Sequence, residues 1–378
     1  MKVTCQRDSL QMACQLVSAA VPAATTIPAL KNIKATAHDD ALLLVAYDPT
    51  QGVGIRYELR GITVARAGSC ILPKDQLIDI LRESLEPDIS LDAGKEAVVA
   101  KVGGSRFEML SLDVDEFPDI PAFDDGGRYH EVTAGTLRTM IKRTAFAADK
   151  KDTTAKFALT GVLWEADGKI VRLVATDTKR LAVCEGPATT YGAPDTTVKA
   201  VHLVPLKTVN LLERNLTDDK ELVRVGLRTN DALFQTERAM IYTSLVQGKF
   251  PPYRDIIAKT RKEATQKIPL PVTAFLSRVR QAAIMTDDES MRVDMTFAPG
   301  KVTMEARGAN TGSSEVSLEL PEYDGPELEI AFDPQYLIEF LRALESEPTV
   351  VLEMSTGNRA ALFQCGEDYS YLVMPLTG

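Results

Sequence analysis

Tryptophan occurs once in the 378 residues, histidine three times and cysteine five times. His38, His130 and His202 lie far apart and adjoin no cysteine, so no zinc-binding spacing exists. Cys5, Cys14, Cys70, Cys184 and Cys365 stand singly, are odd in number and form no C-x-x-C pair. They read as reduced, buried thiols of a cytoplasmic protein rather than as a disulfide framework. No apolar run approaches the roughly 20 residues of a membrane span. The start, Met1-Lys2-Val3-Thr4-Cys5, has no signal-peptide apolar region, so secretion is not expected. No G-x-x-x-x-G-K-S/T phosphate loop is present, which excludes P-loop hydrolysis. Gly52-Val53-Gly54 lacks the third glycine of a dinucleotide fingerprint, and neither H-E-x-x-H nor G-x-S-x-G occurs. No metal site, catalytic residue or cofactor is therefore expected.

What is present is an ordinary globular composition. The chain is 45% apolar and 25% charged, which rules out a disordered chain, a collagen or a coiled coil. At roughly 150 residues per domain, the length predicts about two or three domains. The net charge of −10 argues against a basic surface open on all sides. It leaves room for cations segregated on one face.

The chain repeats itself three times. An apolar strand runs into proline and then an amphipathic helix at Cys70-Ile71-Leu72-Pro73 followed by Leu77–Arg82. The pattern recurs at Val201–Pro205 followed by Val209–Arg214, and at Ile330–Pro334 followed by Leu337–Arg342. Proline suits the first turn of a helix, where its missing N–H would have no partner anyway. A second proline signal follows each helix, so that Pro73 to Pro118, Pro205 to Pro251 and Pro334 to Pro375 span about 45, 46 and 41 residues. A helical stripe opens each unit: Leu10, Cys14 and Val17; Leu137, Met140, Ile141, Thr144 and Ala148; Leu276, Val279 and Ala283. Ala41–Ala46, Ile170–Ala175 and Val302–Ala306 read as strands. The expected architecture is α+β, with three similar domains at 1–125, 128–255 and 262–378.

Charge is distributed unevenly over these helices. The helix expected over 133–148 carries Arg138, Lys142 and Arg143 and no acid, and Lys150 and Lys151 follow it. The helix expected over 272–285 carries Arg278 and Arg280 and no acid, and Lys207 opens another. Cationic helices in an acidic chain point to a segregated phosphate-facing surface. Asp75, Asp79 and Glu83 on the helix after Pro73 oppose the pattern. Asp287-Asp288-Glu289 is the best candidate for a divalent ion and leaves a metal-dependent hydrolase as a rival reading.

Val174-Ala175-Thr176-Asp177-Thr178-Lys179-Arg180-Leu181-Ala182-Val183 resembles the bacterial DNA polymerase III beta subunits, the sliding clamps. Gly248-Lys249-Phe250-Pro251-Pro252-Tyr253-Arg254 and Tyr371-Leu372-Val373-Met374-Pro375-Leu376 match the family's other signatures in the same order. With the threefold repeat, the resemblance spans essentially the whole chain. It implies the DNA clamp fold: a head-to-tail homodimer, closed into a ring with helices lining the hole and sheets outside. It implies a non-catalytic processivity factor that encircles duplex DNA without reading sequence. Its partners would be the DNA polymerase III alpha subunit, the clamp loader complex, and other polymerases and repair proteins that dock through short linear motifs. No membrane is involved.

The resemblance also implies site residues. Leu159, Thr176, Thr178, Lys179, Arg180, Leu181, Pro251, Ile256, Tyr336, Val373, Met374, Pro375 and Leu376 match the partner-peptide pocket, an apolar floor with a few polar edges. Lys207 matches a DNA-facing lysine and joins Arg138, Lys142, Arg143, Lys150, Lys151 and Arg278, which are expected from charge. Phe107, Ile284 and Met285 match the dimer interface. The chain departs from the family pattern at Ala24, where an arginine can touch DNA, at Thr178 for a frequent glycine, at Asp255 for a frequent basic residue, and at its Thr377-Gly378 end. These departures leave a second alternative, a clamp-shaped peptide-binding scaffold that is never loaded on DNA.

Overall fold

A computed structural model describes residues 1–151, 158–192, 201–287, 291–344 and 346–377. Its helices are α1 (Arg7–Ser18), α2 (Lys74–Glu83), α3 (Ala134–Thr144), α4 (Leu206–Asn215), α5 (Tyr253–Glu263), α6 (Val272–Ala282) and α7 (Pro334–Arg342). The stripes read from spacing are the buried faces, except that Ala283 lies half-buried in the turn beyond α6. Leu10, Cys14 and Val17 of α1, and Leu337, Phe340 and Leu341 of α7 with Leu344 beyond its end, are fully buried.

Tertiary contacts divide the chain into two compact units. One comprises Met1–Gly135 and Thr189–Leu245, the other Thr136–Ala188 and Val246–Gly378. The division cuts the middle repeat in two, and the sheets give the reason. In the first unit a nine-stranded sheet runs Thr189–Tyr191, Tyr129–Thr133, Leu222–Leu227, Asp231–Gln235, Ala239–Ser244, Val53–Arg60, Ala41–Asp48, Ile33–His38, Gly68–Leu72. Its middle pairing, from Ala239↔Tyr57 to Thr243↔Val53, joins the middle repeat to the first. A five-stranded sheet in the same unit ends on the edge strand Ser105–Leu110. Leu30, Val45, Ile71, Phe117, Ile120 and Leu233 share one buried cluster there.

In the second unit the strands Gly161–Asp167, Ile170–Thr176, Arg180–Pro187, Tyr369–Val373, Ala361–Cys365, Thr349–Met354 and Gln266–Pro271 pair in that order. The pairing from Arg180↔Val373 to Cys184↔Tyr369 joins the middle repeat to the third. A four-stranded sheet ends on the edge strand Gly312–Leu320. Phe340 of α7 stacks on Tyr371 with centroids 4.4 Å apart, and Phe363 and Tyr369 flank the pair.

Two details differ from the sequence reading. Pro73 and Pro205 are the residues just before their helices, and only Pro334 is the first helical residue. There Asp333 caps the helix, its carboxylate accepting the Gln335 N–H at 2.9 Å. The helices expected over 133–148 and 272–285 also end earlier, each closing in a 3-10 turn (Ala145–Ala147 and Ala283–Met285). Thr144 Oγ1 donates to the Met140 carbonyl at 2.8 Å, a side-chain bond that competes with helix continuation. All five cysteines are buried free thiols.

Candidate partner-binding site

Strands Ile170–Thr176 and Arg180–Pro187 form a hairpin whose short turn is fixed by its own polar side chains. Asp177 Oδ1 accepts the N–H groups of Lys179 and Arg180, both at 3.0 Å. Thr176 Oγ1 donates to the Arg180 carbonyl at 2.6 Å and accepts the Thr178 N–H at 3.2 Å. The turn requires a positive φ, and Thr178 supplies it at +76° despite its branched side chain.

Arg180 follows the turn and points inward, at 5% exposure. Its Nε donates to Asp177 Oδ2 at 2.9 Å and its Nη2 to the Phe146 carbonyl at 2.8 Å. Its Nη1 pairs with Glu339 of α7. The guanidinium lies 4.5 Å over the Tyr336 ring and 5.5 Å from that of Phe146. Burial alone pulls the Arg180 pKa down, but Tyr371, Glu339 and Asp177 outweigh it and raise the value above the ordinary arginine range. Burial followed by Asp177 and Asp333 pushes the Tyr336 phenol up. Burial also raises the Asp333 carboxyl, against the Gln335 N–H.

The chain's last strand completes the site. Beyond Val373, the Met374 N–H donates to the Lys179 carbonyl at 2.8 Å and the Leu376 N–H to the Ala331 carbonyl at 2.8 Å. Tyr371 Oη donates to the Tyr336 carbonyl at 3.0 Å. These bonds bring together Thr176, Thr178, Lys179, Arg180, Tyr336, Val373, Met374 and Leu376, with Pro375 between the last two. The Ala158 N–H donates to the Lys249 carbonyl at 3.0 Å, which sets Leu159 near Pro251. Gly248 allows that approach, since a Cβ on it would stand 2.7 Å from the Ala158 methyl.

The expected pocket residues divide by exposure. Leu159, Leu181 and Val373 are buried apolar side chains. Thr178, Lys179, Ile256 and Met374 are exposed, while Pro251, Tyr336, Pro375 and Leu376 are half-buried. An exposed methionine beside a rigid polar turn forms the kind of surface that accepts an apolar side chain. Phe146 and Glu339 escaped the sequence reading, although both fix Arg180. Glu339 lies three residues after Tyr336 on α7, so helical spacing from Tyr336 could have found it.

The expected DNA-facing residues divide as well. Lys142, Lys150, Lys151 and Lys207 are exposed, and Arg138 and Arg278 are half-buried. Lys150 Nζ lies 3.9 Å from Glu339 Oε1, Lys207 Nζ meets Gln51, and Arg278 Nη1 donates to Gln281 at 2.9 Å. Arg143 corrects the expectation, because it is buried at 7% exposure. Its Nη2 pairs with Glu347 at 2.6 Å, its guanidinium lies 5.2 Å from the Tyr369 ring centroid, and its carbonyl accepts the Tyr369 hydroxyl at 2.7 Å. Its charge is spent inside the second unit.

Phe107, at 38% exposure, lies on the edge strand Ser105–Leu110. Ile284, at 68%, and Met285 form the turn after α6. The Met285 carbonyl accepts Thr311 Oγ1 at 2.6 Å, and the Ala282 carbonyl accepts Ser314 Oγ at 2.9 Å. That turn is thereby tied to the other edge strand. Of the acidic triplet, Asp287 Oδ2 accepts the Ala309 N–H at 2.7 Å, while Asp288 and Glu289 lie outside the described residues.

Comparison with known proteins covers the same stretches. The N-terminal, central and C-terminal domains of the DNA polymerase III beta subunit match residues 1–121, 131–252 and 261–377. The beta sliding clamps of Pseudomonas putida and Escherichia coli are 29% and 28% identical to the chain, each over 100% of both chains. The crystal structure of a sliding clamp from Pseudomonas aeruginosa bound to griselimycin superposes with a TM-score of 0.89 at 25% identity, covering 100% of both chains.

Proposed function

We propose that this chain, which belongs to the DNA polymerase III beta subunit family and is a sliding clamp conferring polymerase processivity, works through three separate surfaces. It takes the three-domain division at 1–125, 128–255 and 262–378. It acts without a catalytic residue, metal or cofactor.

The first surface is the partner-peptide pocket around the Thr176–Arg180 turn. The observation that carries it is the saturated Arg180. Bonds to Asp177, Glu339 and the Phe146 carbonyl, with Tyr336 stacked above, hold the turn rigid. Thr178, Lys179, Met374 and Ile256 are left on the surface. A preformed rim lowers the ordering cost of binding. Two or three apolar anchors at ~1.5–3 kcal/mol each, less that cost, give roughly micromolar affinity. Such affinity lets the polymerase alpha subunit, the clamp loader and repair proteins exchange.

The second surface is a set of cations for duplex DNA: Lys142, Lys150, Lys151 and Lys207, with Arg138 and Arg278. Flexible lysines meet phosphates without reading bases, as sliding requires. The third is the homodimer contact. Among the described residues, Ser105–Leu110 and Gly312–Leu320 each present an unpaired edge of backbone donors and acceptors. Phe107 on one edge and Ile284 with Met285 beside the other supply the apolar part. Pairing one protomer's first edge with its partner's second closes a head-to-tail ring.

Retention on DNA tests the reading. The protein is loaded on nicked circular DNA by a cognate clamp loader with ATP, washed in moderate salt, and the circle is then cut. Retention on the circle and loss on cutting is the expected result, because encirclement depends on the absence of ends. Equal retention on both forms, or none on either, would refute it. Charge reversal of Lys150, Lys151 and Lys207 is expected to reduce processive synthesis, with peptide binding unchanged.

A further inference from the structure

Positive φ belongs mostly to glycine in this chain, and the Thr176–Arg180 turn departs from that habit. In other hairpin turns the angle falls on Gly52 (+60°), Gly103 (+54°), Gly168 (+61°) and Gly366 (+61°). Among the described residues, two that are not glycine share it, Asp39 at +47° and Thr178 at +76°. Aspartate tolerates the conformation through its short polar side chain, whereas a β-branched residue is strained in it. An aspartate-anchored turn does not demand this. Asp48 Oδ1 accepts the Thr50 and Gln51 N–H groups at 3.0 and 3.1 Å, as Asp177 does for Lys179 and Arg180, yet there the positive φ falls on Gly52. The strain at Thr178 persists because bonds from Thr176, Asp177 and Arg180 fix the residues around it.

The threonine side chain gives the folded chain nothing in return. Thr176 is buried, and its hydroxyl serves both the Arg180 carbonyl and the Thr178 N–H. Thr178 is exposed, and among the described residues its hydroxyl makes no hydrogen bond. Glycine would supply the same backbone with less strain, so the use of this side chain lies outside the chain itself. Thr178 precedes Lys179, whose carbonyl holds the Met374 N–H at 2.8 Å, so the free hydroxyl and the exposed methionine border one surface. A hydroxyl both donates and accepts, as a peptide group does. We infer that Thr178 is a contact residue of the partner pocket: its hydroxyl hydrogen-bonds the main chain of a docked segment, beside the apolar side chain that meets Met374. The inference rests on the pocket reading above and adds one bond to it. A main-chain bond serves partners of different sequence alike.

Surface plasmon resonance on the immobilised full-length chain tests it. The probes are the DNA polymerase III alpha subunit and an unrelated clamp-binding polymerase of the same organism. Thr178→Val removes the hydroxyl and keeps the branching, Thr178→Gly removes it and relieves the strain, and Thr178→Ser keeps it. Valine and glycine are each expected to weaken both probes about fivefold, the worth of one net hydrogen bond, and serine by less than about twofold. Thr178→Gly is expected to do so while raising the urea midpoint. A merely structural threonine would not give that combination, and the gain in stability covers the case in which Thr178→Val misfolds. Met374→Asp checks the pocket itself and is expected to abolish binding of both probes. Normal binding by Met374→Asp would overturn the pocket reading and this inference with it. Loss at Met374→Asp with wild-type affinity in Thr178→Val and Thr178→Gly would overturn the inference alone. So would a serine variant as weak as the valine one, or a loss confined to one probe.

Discussion

Lowering the pH from 7 to 5 should weaken the first unit through one side chain. His130 sits in strand Tyr129–Thr133 at 3% exposure, flanked in the sheet by Thr190 and Val225. Burial, then the charges of Arg128 and His202, push its pKa down to about 3. In the unfolded chain the value is about 6.5. The folded value is the lower one, so its contribution is complete above pH ~6.5 and is lost as pH falls toward ~3. The unfolded state takes up a proton that the folded state refuses. Between pH 7 and pH 5 this linkage removes about 2 kcal/mol. Urea unfolding followed by circular dichroism at pH 7, 6 and 5 measures the loss. His130→Leu has no proton to gain and is expected to lose about 2 kcal/mol less over the same interval. The comparison reads the slope, so an offset in absolute stability does not affect it. The exposed His38 and half-exposed His202 are common to both proteins and cancel. Parallel pH profiles for the two proteins would refute the reasoning.

Other outcomes follow from the same geometry. Thr178→Gly relieves a β-branched residue at φ +76° and is expected to gain about 1 kcal/mol, read as a higher urea midpoint; a lower midpoint would contradict the strain. Arg180→Ala strips a buried cation from Asp177 and Glu339 and is expected to cost about 3–5 kcal/mol, with loss of partner-peptide binding by anisotropy. Burial pushes the Cys5, Cys14, Cys70 and Cys184 thiols up to about 12. Their reaction with a disulfide reagent at pH 8 is expected to run about a thousandfold slower than in urea, and fast native labelling of all four would exclude such burial.

Much of this fold can be read in the sequence because its signals are local. The strand, proline and helix order recurs three times, and the helical stripes become buried faces. Even the strand at Val302–Ala306 lies inside Gly300–Gly308. What cannot be read is pairing between distant segments. Val53–Arg60 and Ala239–Ser244 each look like an ordinary half-buried strand, and neither announces the other. The site divides in the same way. The Thr176–Arg180 turn is legible because Asp177 bonds its own neighbours, within three residues. The inward turn of Arg180 and Arg143 is not legible, because the acids that hold them, Glu339 and Glu347, stand 159 and 204 residues away. A basic residue on a helix looks the same in sequence whether its partner is water, phosphate or a remote carboxylate. Charge counting therefore placed Arg143 on the surface.

The strand pairing that divides the middle repeat limits how the chain can be cut. Excision of residues 128–255 would separate Ala239–Ser244 from Val53–Arg60 and Arg180–Pro187 from Tyr369–Val373. The fragment would carry two bare central strands that are largely apolar, with no lysine in either and a single proline, Pro187, at the far end of one. Such a piece is expected to precipitate rather than persist as a free module. Recombination between relatives at the repeat boundaries would meet the same obstacle, since each crossover would have to rebuild a sheet as well as a loop. The threefold repetition visible along the sequence is therefore not a set of interchangeable parts.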